Sequence, residues 1–152
     1  MSSLVRTVVT FKTDQFNTIE PREYFINPGC FGDDLCAWMI SALKAMGTEC
    51  DDQPGQEDFG WYFNFSDGNL KYCLVCGFRP AEPAEVGTWV AWIERSTGLM
   101  ASLFGGRDRG IEAGGPGKIH QLLRSSPEIT DIRWHYKKNF DRGDEAGAEA
   151  PG

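Results

Sequence analysis

The chain lacks any excess of positive charge: its 152 residues carry 22 Asp and Glu against 15 Lys and Arg, a formal net charge of -7. Nucleic-acid binders usually present a basic face that releases counterions from phosphates, so neither DNA nor RNA is an expected partner. No apolar run approaches the ~20 residues that span a bilayer. In the opening stretch MSSLVRTVVTFKTD an arginine interrupts the short apolar segment, so neither a signal-peptide core nor a membrane contact is expected, and a cytoplasmic location follows. Histidine is scarce, with only His120 and His135. The G-x-S-x-G, H-E-x-x-H and P-loop patterns are all missing, which leaves no recognisable catalytic constellation.

Cysteine is present in an odd number, five. A chain of this length builds its own core, so the thiols read as reduced side chains with no obligatory disulfide. Cys73 and Cys76 form a C-x-x-C, but they fall inside a predicted strand, where positions three apart point to opposite faces; core thiols are the better reading, and no metal or other cofactor is called for.

What the sequence does have is aromatic residues, 12% of the chain. In GQEDFGWYFNF, residues 55 to 65, Phe59, Trp61, Phe63 and Phe65 alternate with Gly60, Tyr62 and Asn64. That two-residue period predicts a strand with one apolar face against a core. LVRTVVTF predicts an earlier strand. SDGN is a turn, LKYCLVCGF the returning strand, and GTWVAWIE a third with Trp89, Ala91 and Ile93 on one side. GCFGDDLCAWMISALKAMG predicts a helix through Leu35, Met39, Leu43 and Met46, capped by Asp33 and ended by Gly47. PGKIHQLLRSS predicts a second, with Ile119, Leu122 and Leu123 as its stripe. TDIRWHYKKNF alternates Ile132, Trp134 and Tyr136 with Arg133, His135 and Lys137 and predicts a last strand with a wet basic row. The expected order is β-α-β-β-β-α-β, a two-layer α+β domain over residues 1–140. An antiparallel sheet of about five strands carries two main helices on one face. Residues 141–152 have no apolar residue larger than alanine and a net charge of -3, so a disordered acidic tail is expected.

Two regions invite a ligand. Glu49, Asp51, Asp52, Glu57 and Asp58 lie in ECDDQPGQED with no cation between them; a divalent ion is conceivable there, but the spacing does not match a calcium loop, and a solvated loop is the plainer reading. Paired-carboxylate hydrolysis by the adjacent Glu57 and Asp58 is conceivable, but neighbours on a strand face opposite ways. The run FGGRDRGIEAGGPGK sets Arg107, Arg109 and Lys118 around glycines before a helix start, where guanidinium groups and free amides suit a small anionic ligand. Its plainer reading is an exposed loop, with Asp108 and Glu112 offsetting the arginines.

The combination of INPGCFGDDL, EDFGWYF, SLFGGR and IRWHY resembles small bacterial single-domain proteins of uncharacterised activity, in which a helix leads into an E-D-[FW]-G-W strand; the resemblance spans residues 20 to 140. In size, acidity and fold class the chain also resembles in general build the α+β immunity proteins that neutralise bacterial toxins, which implies another protein as partner. The functional expectation is a protein-binding, regulator-like module, with a small hydrolase or transferase as the alternative.

Overall fold

The computed structural model describes residues 5–26, 29–57, 60–80, 87–96, 111–144 and 146–152. In chain order the elements are β1 (Val8–Lys12), α1 (Asp33–Ala45), β2 (Gly55–Glu57), β3 (Gly60–Asp67), β4 (Leu70–Arg79), β5 (Thr88–Arg95), α2 (Gly114–Arg124), β6 (Thr130–His135) and α3 (Lys137–Asp141). The strands form one open sheet in the order β2-β3-β4-β5-β1-β6, antiparallel throughout. The α+β class and the antiparallel sheet are as expected. Among the described residues the strands number six rather than about five, and a third helix joins the two expected.

The alternation in β3 resolves as a core. Trp61, Phe63 and Phe65 are buried while Tyr62 and Asn64 are only partly covered. In register, Trp61 faces Cys76, Phe63 faces Leu74, and Phe65 faces Tyr72. Across β5 and β1 the same inward rows continue through Ile93, Ala91 and Val9 to Trp134. Side chains of one strand parity point to one side of a sheet, so these residues make a continuous apolar surface. Leu35, Met39 and Leu43 of α1 and Ile119, Leu122 and Leu123 of α2 close over it in one buried cluster.

Helix α1 ends as its sequence implies. Gly47 adopts φ 81, its amide donates to the Lys44 carbonyl, and the Thr48 amide donates to Leu43, the paired bonds of a glycine-terminated helix. The start differs from expectation: the capping position is Gly32, with φ 137 and no side-chain cap. Asp33 instead accepts a hydrogen bond from the Tyr24 hydroxyl, and Asp34 accepts one from the Asn17 amide at 2.8 Å. Both carboxylates still sit in the first turn, where the helix dipole favours negative charge. Helix α2 begins two residues before Pro116, at Gly114. A side chain at Gly114 would overlap the Asp67 carboxylate, and one at Gly115 would meet the Tyr72 ring at 2.8 Å; two glycines let this helix start pack directly on the β3–β4 hairpin.

The C-terminal region departs most from expectation. Strand β6 stops at His135, Tyr136 stays extended, and Lys137–Asp141 turn into a short helix stabilised by a 2.7 Å Lys137–Asp141 pair one turn apart. The stretch expected as a disordered acidic tail is placed on the sheet edge. Ala148 and Trp134 exchange backbone hydrogen bonds of 2.7 Å in both directions, and the Arg6 amide donates to the Pro151 carbonyl at 2.9 Å. Pro151 is buried, and Arg133 lies 3.7 Å from Glu149. Backbone pairing at an open strand edge orders this segment without large apolar side chains, which composition alone does not register. No helix among the described residues is long and apolar enough to cross a membrane.

Candidate functional site

The side of the sheet away from α1 and α2 would be polar if it faced only water. It is not. One cross-strand row runs Tyr62, Val75, Trp92, Val8, His135, and the next runs Gly77, Val90, Thr10, Arg133. Val8, Val75, Val90, Thr10 and His135 are buried, with His135 only 2% exposed. The His135 ring lies 5.0 Å from Phe140 of α3, and its Nε2 meets the Thr10 hydroxyl at 2.8 Å. The expected wet basic row is therefore corrected at its centre: β1 supplies a partner and α3 a lid that the local alternation around His135 does not announce.

Between this face and α3 lies a cleft of about 490 Å³, within the size range of small-ligand sites. Val8, Val90 and Trp92 form its floor, with Phe140 as an aromatic wall; Arg79, Glu94, Lys137 and Asp141 supply charge of both signs, and Gly29, Cys30, Gly77 and Phe78 border it, the Phe78 ring itself packing 4.9 Å from Trp89 on the core side. The charged groups are themselves organised. Trp92 Nε1 donates to Glu94 at 3.2 Å, the Arg79 guanidinium stands 5.2 Å over the Phe140 ring, and Lys137 pairs with Asp141. An apolar floor bordered by tethered charges has the chemical make-up of a site for an apolar or aromatic group.

A second feature of the surface is the segment Tyr24–Ile26. Tyr24 is 57% and Ile26 65% exposed, yet the backbone is fixed, because Gln56 of β2 accepts from the Ile26 amide and donates to the Tyr24 carbonyl, both at 2.6 Å.

The sequence-derived candidates fall elsewhere. Arg107 and Arg109 lie outside the described residues. Lys118 is on α2, 3.4 Å from Asp67 and donating to the Thr48 hydroxyl at 3.2 Å, so it ties α2 to the β3–β4 turn and the end of α1. In the acidic stretch, Asp51 accepts from the Asn64 amide and side chain at 2.9 Å each, and Asp52 pairs with Lys44; Asp58 is outside the described residues. No three potential metal ligands converge among the described residues. Cys76 is in the core and Cys73 on the outer face, only partly buried, as strand parity requires. His120 Nδ1 accepts from Trp134 Nε1 at 2.9 Å, and partial burial, with Arg124 nearby, lowers its pKa below the ordinary value.

The sequence did carry a signal for the cleft. In GTWVAWIE the outward positions hold Val90 and Trp92, where a strand with one wet face would carry polar residues. Phe140 and Arg79 had no such signal, since their meeting depends on α3. No family model matches the chain, and neither a curated protein nor a solved structure matches it.

Proposed function

We propose that this protein is a binding module that receives an apolar or aromatic anchor of a partner protein in the cleft between the outer sheet face and α3. The observation that carries the reading is the floor of Val8, Val90 and Trp92 on the face opposite the helix-covered core. Interfaces concentrate their energy where one partner's aromatic or aliphatic side chain fills such a pocket and polar groups surround it. Arg79, Lys137, Glu94 and Asp141 fit the role of that rim, because charges of both signs select the orientation of an approaching surface more than they add affinity.

The test compares immobilised wild type with two variants in lysate of the source cells, with mass spectrometry of what is retained. Val90→Trp fills the cleft from its floor, and Ile26→Ser removes an exposed apolar side chain that does not line it. A protein enriched on wild type and on Ile26→Ser but lost on Val90→Trp, with unchanged circular dichroism, supports the cleft. Equal retention on Val90→Trp, selective loss on Ile26→Ser, or no enriched protein on any of the three overturns it.

A further inference from the structure

Two of the five cysteines meet inside the core. Cys36, in the first turn of α1, and Cys76, in the middle of β4, are both 0% exposed, and their sulfurs are 3.1 Å apart. A disulfide bond is about 2.05 Å long, so roughly 1 Å of approach separates contact from bonding. The helix start is brought this close by Gly32, where an added Cβ would stand 3.1 Å from the Cys76 sulfur. Cys73, three residues from Cys76, is on the opposite face of the sheet, and the Cys50 thiol is turned to the Ile40 carbonyl at 3.7 Å. The pairing is therefore directed by the fold.

We propose that Cys36 and Cys76 are a redox pair that closes into a disulfide when the protein folds or opens in the presence of a small-molecule disulfide, locking α1 to the sheet. One thiolate attacks the small disulfide, forming a mixed disulfide and releasing one small thiol; the second protein thiolate then displaces the other small thiol. Two protein thiols are oxidised, one external disulfide is reduced to two thiols, and the two thiol protons pass to the released thiolates. Burial, with Cys76 adjacent, holds the Cys36 thiol well above its ordinary range, so little thiolate is present in the closed core and exchange is slow there. The same enclosure protects the bond once it forms. In a reducing compartment the pair remains as thiols, which makes it a lock set by the surroundings during folding rather than a rapid sensor.

Refolding the reduced, unfolded chain in glutathione disulfide, blocking the remaining thiols and mapping peptides tests this directly. The expected product has a single Cys36–Cys76 linkage, and its Tm is about 10 °C above that of the reduced protein, as closure of a ring this long implies. Dithiothreitol should return it to the reduced value. A Cys30→Ser, Cys50→Ser, Cys73→Ser triple variant should show the same linkage and the same shift. Linkage through any other pair, five blockable thiols after oxidative refolding, or a linkage that leaves Tm unchanged would each overturn the proposal.

Discussion

On the helix-covered side of the sheet, β5 contributes Trp89, Ala91 and Ile93, none more than 2% exposed. On the other side the same strand contributes Val90, Trp92 and Glu94 to the cleft. The two faces share one backbone and one set of ladder hydrogen bonds, yet they are enclosed differently. Inside, large side chains of α1 and α2 pack over the sheet in one buried cluster; outside, the short helix α3 covers only part of the surface and leaves a floor. On the proposed reading, substitutions on the first face act through folding, whereas those on the cleft floor act through binding.

The sharpest way to break this comparison is to cut a ring from each face. Phe63→Ala or Trp61→Ala should cost about 3–5 kcal/mol in denaturant or thermal unfolding, because a large cavity opens in the core. Tyr62→Ser, one residue along and only partly buried, should cost under ~1 kcal/mol. If Trp61→Ala left the unfolding midpoint unmoved, the aromatic row would face outward and the assignment of the two sides would be reversed.

A smaller effect is expected at the rim. Removing residues 146–152 takes away the Ala148–Trp134 bridge and the Arg6–Pro151 bond, and should cost about 1–2 kcal/mol after the entropy regained by the freed chain. Equality of the truncated and full-length chains in urea unfolding would mean the tail contributes nothing to the sheet edge.

The smallest effect is a pH dependence beneath the inner face. His120 accepts the Trp134 indole hydrogen, and its folded pKa lies below the ordinary 6.5. The folded state thus prefers the neutral ring, and the unfolded chain takes up the proton first. This contribution is complete above 6.5 and is lost as pH falls through it toward the folded value. Between about pH 7 and 5.5, Tm should decline more steeply in wild type than in His120→Gln, whose amide oxygen still accepts from the indole. Identical slopes would remove His120 from the account.

Much of the inner face was legible because its signals are periodic and local: Trp61, Phe63 and Phe65 alternate, and Leu35, Met39 and Leu43 recur by turns. The elements missed lack such periodicity. Strand β2 is Gly-Gln-Glu, held by register with Tyr62, Trp61 and Gly60 rather than by apolar side chains. In α3, Lys137 and Phe140 continue the alternation of β6 on paper, and only the turn at Tyr136 redirects them. The cationic sequence neighbours of His135 imply a wet position; its actual neighbour, Thr10, is 125 residues away. The cleft was half visible, in Val90 and Trp92, and half dependent on where α3 comes to rest.

The backbone exchange between Ala148 and Trp134 has a bearing on how copies of this chain behave when crowded together. An open strand at the margin of a sheet offers its amides and carbonyls to any other extended segment, and natural sheets blunt that invitation. Here β2 ends one margin after three residues, while Ala148 occupies the Trp134 amide and carbonyl at the other. Displacing residues 146–152 from this edge would therefore unmask a template for strand-to-strand recruitment, and the change would first register as association that grows with concentration, before any loss of the native fold.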